Sequence, residues 1–277
     1  MAVFEYDGET ICYSRHGTGS RVVIFLHNLG SSRLIWEPTI TALDPTYSAY
    51  ALDFPGYGDS ELTAVRSVEW LVDMVEAFVA EIGATRLDLV GNCVGSAVSL
   101  LLAERRPELI DSMVVFNPAT AATLRPTPLG LLSRLAARSL FPRAILGSVS
   151  LPKTVAKAII WFQTGSGSVT PGNTRLKNRL QELWTDKGRM FPMASVAPTL
   201  SRPFTHIDRM VSDTFAGIDV QMVWGEKNRI LSAKEGRKLA ERLGVPYLGL
   251  SAAGHLAMLE VSPDLVPQML ERAHTAR

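Results

Sequence analysis

The sequence predicts an α/β fold in which a mostly parallel central sheet is flanked by helices and interrupted by an inserted helical cap. Three observations lead there. Residues 1–119 alternate short apolar runs with helical patterns, the signature of crossover units on a parallel sheet. Between residues 120 and 205 that alternation stops, and amphipathic stretches follow one another with no strand pattern between them. From about residue 206 the alternation resumes. The division is therefore a core of 1–119 and 206–277 with a cap of 120–205.

Taken in order, strands are expected over 4–6 and 10–15, joined as a hairpin at Asp7-Gly8, a dipeptide suited to the positive φ of a tight turn. Further apolar runs place strands at 22–27, 47–53, 86–90 and 113–117, with helical patterns at about 34–43, 68–82 and 94–105 between them. A Pro/Thr-rich link then leads into cap helices near 129–140, 153–162 and 174–184, and the Gly/Ser/Thr/Pro run over 164–174 reads as a loop. A strand at 220–224, a helix at 232–243, a strand at 246–250 and a helix from about 263 complete the chain, and no internal repeat is visible.

Of the 277 residues, 47% are hydrophobic and 20% charged, enough apolar material for a large core and no signature of disorder. Cys12 and Cys93 lie far apart in unlike contexts, so neither a disulfide framework nor a zinc-ligand spacing is present, and no metal or cofactor is expected. The acidic N-terminal stretch lacks the form of a secretory signal and no apolar run is long enough to span a membrane, so a cytoplasmic setting is expected. Charge is segregated. Twelve Lys/Arg against two acids give residues 120–205 a net charge of +10 and leave −9 on the remainder. An acidic core without recognition motifs argues against nucleic acid as a partner.

The chemistry gathers at three loops. In Gly91-Asn92-Cys93-Val94-Gly95 an expected strand turns into a helix so sharply that side chains at 91 and 95 would collide, which lifts Cys93 above the sheet. The helix N-terminus beneath the sulfur is expected to lower the thiol pKa. His27-Asn28-Leu29-Gly30-Ser31-Ser32 follows another strand. His255, in the loop between the last strand and last helix, is the side chain suited to move a proton near neutral pH.

With these segments, and with Leu-Asp-Phe-Pro-Gly-Tyr-Gly-Asp-Ser at 52–60 and Gly-His-Leu-Ala-Met-Leu-Glu at 254–260, the chain resembles the α/β-hydrolase superfamily over 1–119 and about 206–277. The resemblance implies Cys93 as nucleophile, His255 as proton carrier, and the backbone N–H groups of Leu29 and Val94 as oxyanion donors. Two departures stand out. The nucleophile is Cys where Ser is usual, and the position expected to carry the acid holds Asn228. A thiol needs mainly an oriented imidazole, so Asn228 is assigned as the orienter of His255, with Glu226 as an alternative acid and Asn117 at an earlier strand end as another candidate position. His27, Asn28, Asn92, Trp161, Phe162 and Trp184 are the expected substrate-pocket residues.

The expected activity is acyl transfer through an acyl-Cys intermediate on a small-molecule ester, lactone or thioester, released by hydrolysis, cyclisation or transfer to an amine or hydroxyl. A basic cap suits an acidic acyl carrier protein or a coenzyme A thioester. The rival expectation is a small-ligand receptor, or a non-covalent lyase or cyclase, without a complete triad.

Overall fold

The computed structural model describes residues 1–64, 66–128, 130–131, 150–165, 174–185 and 199–275. Eight strands form one sheet: β1 Ala2–Tyr6, β2 Glu9–His16, β3 Arg21–Leu26, β4 Tyr47–Leu52, β5 Leu87–Asn92, β6 Ile110–Phe116, β7 Asp219–Gly225 and β8 Tyr247–Leu250. Their order is β1-β2-β4-β3-β5-β6-β7-β8. The first two strands pair antiparallel, β2 runs antiparallel to β4, and every later neighbour is parallel. Asp7 and Gly8 both take positive φ, as their hairpin turn requires.

Helices cover both faces. On one side α2 (Val68–Glu81), α3 (Val94–Arg105) and α8 (Ala233–Leu243) bury Phe78, Val98 and Leu239 against Ile24, Leu26 and Leu89. On the other, α1 (Glu37–Thr41) and α9 (Leu265–Thr275) bury Ile40 and Leu270 against Val23, Phe25 and Val90. Alternate residues of β3 therefore feed opposite cores, the period of two expected of a strand buried on both faces. Short helices α4 (Ala121–Leu124) and α7 (Ser201–Ile207) follow β6 and precede β7.

Between β6 and β7, α5 (Lys153–Gln163) and α6 (Thr174–Thr185) fall where helices are expected over 153–162 and 174–184. The helix expected over 129–140, apart from residues 130 and 131, and most of the loop expected over 164–174 fall outside the described residues. Elsewhere the largest departure is the helix expected over 34–43. It is a 3₁₀ turn, Arg33–Trp36, followed by α1, with Pro38 in the first turn of α1, where a missing N–H costs nothing. Strand β5 runs to Asn92, two residues past the expected end, so the turn at Cys93 follows the sheet directly. Among the described residues no helix is long and apolar enough to cross a membrane.

Candidate active site

Cys93 sits between the end of β5 and the start of α3 with φ 56° and ψ −108°, a backbone conformation that side-chain-bearing residues rarely adopt. The flanking glycines make the turn possible. A Cβ on Gly91 would lie 2.6 Å from the Gly95 carbonyl carbon, and one on Gly95 would run into the Leu26 carbonyl oxygen of β3. Backbone bonds then fix the turn: Cys93 N–H donates to Phe116 O at 3.0 Å, and Ala97 and Ala119 donate to Cys93 O.

The thiol is 8% exposed, and burial pushes it up to about 12, against a smaller lowering from the Val94 N–H. The expected lowering of the thiol pKa is thus overturned: one helix N–H does not offset removal of a thiolate from water. His255 is 2% exposed, and burial pulls its imidazole down to about 3. Burial thus favours the thiol and the neutral imidazole.

The loop that carries His255 is tied to the elbow by three asparagines, none with exposed surface. Asn92 Nδ2 and Asn117 Nδ2 each donate to the His255 carbonyl at 3.2 Å. Asn92 also bridges its neighbours, donating to Asn28 Oδ1 and accepting from Asn117 Nδ2. Asn117 Oδ1 accepts from Gly225 N–H at the end of β7. One amide chain therefore crosses the C-terminal ends of β3, β5, β6 and β7. The side chains of Asn28 and Asn92, expected along a pocket, are placed in this framework, and Asn117 meets the backbone of His255, not its ring.

Asn228 is brought to the ring. Its Nδ2 lies 3.2 Å from His255 Nδ1, and its Oδ1 accepts from Ile230 N–H at 2.9 Å and Leu231 N–H at 3.0 Å. Glu226 is not: its carboxylate is bound by Arg237 and by the Tyr247 hydroxyl. Of the expected oxyanion donors, Val94 opens α3, where its N–H has no intrahelical acceptor, and Leu29 is half-buried in the loop after β3. His27 braces that loop from below. Its Nδ1 donates to Asn28 O at 2.7 Å and its Nε2 accepts from Phe54 N–H at 2.9 Å, so both nitrogens are consumed, and burial takes its pKa down to about 4.

The three aromatics expected along the pocket diverge. Trp184 is buried against Gly30, where a Cβ would meet its ring at 2.6 Å. Trp161 is 58% exposed under the Arg229 guanidinium, and Phe162 is half-buried.

Residues not singled out from the sequence also shape the site. Gln163 O, at the end of α5, accepts from the N–H groups of His255 and Leu256. The Glu260 carboxylate accepts from Gly165 N–H and Gly254 N–H. The Tyr57 hydroxyl is buried and makes no well-formed hydrogen bond among the described residues; burial raises its pKa, Cys93 adds to the rise, and the Gly30 N–H directed at the oxygen opposes it. Glu260 and Tyr57 both fall inside the motifs at 254–260 and 52–60, which is the only sequence signal for them. Among the described residues no His/Cys/Asp/Glu group could hold a metal.

Comparison with known proteins agrees with this architecture. The chain is 30% identical over 115 residues to the dihydrolipoyllysine-residue acetyltransferase component of an acetoin cleaving system from Cupriavidus necator, covering 41% of this chain and 31% of that protein. It is 30% identical over 107 residues to a pimeloyl-[acyl-carrier protein] methyl ester esterase of Aeromonas hydrophila, covering 38% and 40%. The chain thus spans well under half the length of these curated relatives. The crystal structure of an enol-lactonase from Burkholderia xenovorans superimposes with a TM-score of 0.75 at 18% identity, over 99% of this chain and 100% of that one. The model of the alpha/beta hydrolase family matches residues 23–267, and with the strand order and the elbow at Cys93 in place, the chain belongs to that family.

Proposed function

We propose that this protein cleaves or transfers acyl groups with Cys93 as its nucleophile. The observation that carries the reading is the strained backbone at Cys93, held between two glycines at the C-terminal end of β5 with the His255 loop bonded beside it. Strain of this kind is retained where a side chain must be presented to a substrate. Sulfur attacks the carbonyl carbon, the thiol proton passes to His255, and the carbonyl π pair moves onto oxygen facing the N–H groups of Leu29 and Val94. Collapse expels the alkoxide or thiolate, which takes the proton from His255 and leaves an S-acyl enzyme. Water, an amine or a hydroxyl then releases the acyl group.

The relatives support acyl substrates: one is named an ester esterase on a carrier protein and the other an acetyltransferase component. Residues 120–205 are read as the cap over this site, and exposed Lys153, Lys157 and Arg202 favour an acidic carrier protein or coenzyme A as the acyl donor. Both cysteines are free, which suits a reducing cytoplasm. A second reading, non-covalent catalysis or ligand binding, is favoured by the burial of both side chains, which favours a thiol at Cys93 and a neutral imidazole at His255.

Intact-protein mass after incubation with an activated acyl ester decides between them. The acyl-enzyme reading expects one acyl increment, absent in Cys93→Ala. Turnover by Cys93→Ala at the wild-type rate removes Cys93 from the mechanism.

A further inference from the structure

Asn228 bonds on both ends of its amide, and the two ends are not interchangeable. Its Oδ1 receives two backbone N–H groups, from Ile230 and Leu231. Turning the amide over would set an NH₂ against both donors, so the backbone fixes Nδ2 toward His255 Nδ1. An NH₂ group only donates. His255 Nδ1 must then accept, and a neutral imidazole that accepts at Nδ1 carries its proton on Nε2. The neighbouring carboxylates hold other partners: Glu226 binds Arg237 and Tyr247, and Glu260 binds the N–H groups of Gly165 and Gly254.

We infer that Asn228 is a positioning residue that reverses the usual polarity of the His255 hydrogen bond, holding the imidazole in its Nε2–H form and restraining its action as a base on Cys93. A His–carboxylate pair has Nδ1–H donating and leaves the Nε2 lone pair free to take the nucleophile's proton. Here Nε2 already carries a proton, and the imidazolium formed by taking a second proton would set Nδ1–H against the Asn228 NH₂. Proton transfer from Cys93 to Nε2 therefore requires the imidazole first to tautomerise, Nδ1 taking a proton from water as Nε2 returns one to water, and the amide contact at Nδ1 to break. The consequence rests on Cys93 being the nucleophile; the tautomer does not.

Asn228→Asp is the informative variant, because one carboxylate oxygen keeps the two backbone N–H bonds while the other presents an acceptor to Nδ1. Proton-detected NMR on the full chain with ¹⁵N-labelled histidine reads the tautomer directly. In the wild type we expect His255 protonated on Nε2 alone at neutral pH, and in Asn228→Asp a proton on Nδ1. Iodoacetamide should then alkylate Cys93 about tenfold faster in Asn228→Asp, the effect of about one pKa unit of imidazolium stabilisation. A wild-type His255 protonated on Nδ1, or a folded Asn228→Asp protein with the wild-type tautomer, overturns the inference. The same spectrum in Cys93→Ala isolates this result from the acyl-enzyme reading: a correct tautomer with no acyl adduct leaves the polarity intact and removes only the nucleophile.

Discussion

At Cys93 a side-chain-bearing residue holds a conformation that costs about 1–3 kcal/mol, and the glycines on either side are what the surrounding backbone permits. Gly95→Ala pushes a methyl group into the Leu26 carbonyl, a backbone atom that cannot rotate away. We expect it to lose about 3 kcal/mol of stability in urea unfolding or to fail to accumulate as folded protein. Tyr57 makes the contrasting case. Its hydroxyl is buried with only the Gly30 N–H directed at it and no well-formed hydrogen bond among the described residues, so Tyr57→Phe should change stability in urea unfolding by no more than about 1 kcal/mol. A clear loss would reveal a partner for that hydroxyl. His255→Ala should abolish turnover, whereas His206 and His274, bound to Glu104 and Asp88 away from the elbow, should be dispensable for it. Retained kcat in His255→Ala removes the imidazole from proton transfer.

Helix α5 and the His255 loop behave as one element. The Gln163 carbonyl receives two N–H groups of that loop, Glu260 clips Gly165 to Gly254, and Arg229 donates to the carbonyls of Trp161 and Thr164. Gly165 and Gly254 pack so closely that a Cβ on Gly254 would lie 2.5 Å from Gly165 N. The end of α5 is thus fastened to the loops bearing His255 and Asn228. Removing the Glu260 carboxylate leaves buried N–H groups unsatisfied, at about 1–3 kcal/mol each. Glu260→Ala should speed hydrogen exchange at residues 254–256 and lower kcat more than it changes KM, with Glu260→Gln between the two. Unchanged exchange would show that the remaining bonds hold the loop alone.

For the molecule as a whole, two neutral buried histidines set an acid limit. Their folded pKa values, about 4 for His27 and about 3 for His255, lie below the unfolded value near 6.5, so between these limits the unfolded chain binds more protons. Stability from this source is complete above about pH 6.5 and is lost as pH falls toward the folded values. Buried Asp53 and Asp88, whose pKa values are raised by burial, act in the opposite sense. The His255 contribution is isolated by a variant: wild type should lose about 2 kcal/mol more than His255→Asn between pH 7 and pH 4.5 in urea unfolding. Equal losses would mean that His255 titrates as if exposed.

The sequence by itself determined the sheet, the positions of its strands within a few residues, and the loops that hold Cys93, His255 and Asn228, because each is written in local terms. Apolar runs give strands, Gly-x-Cys-x-Gly suits a sharp turn, and loop order places the candidate side chains at strand ends. It did not give the state of those side chains. Whether Cys93 is thiolate or thiol depends on how many atoms exclude water from it, and α3 beneath it was a local signal outweighed by burial. Trp161 and Trp184 share the apolar pattern of amphipathic helices, yet one faces solvent and the other covers Gly30, since a pattern names a face without naming what it meets. The polarity of Asn228 toward His255 was equally hidden. An amide reads the same in either orientation until the backbone N–H groups of Ile230 and Leu231 are seen to occupy its oxygen, and only the tertiary structure brings that amide to the imidazole.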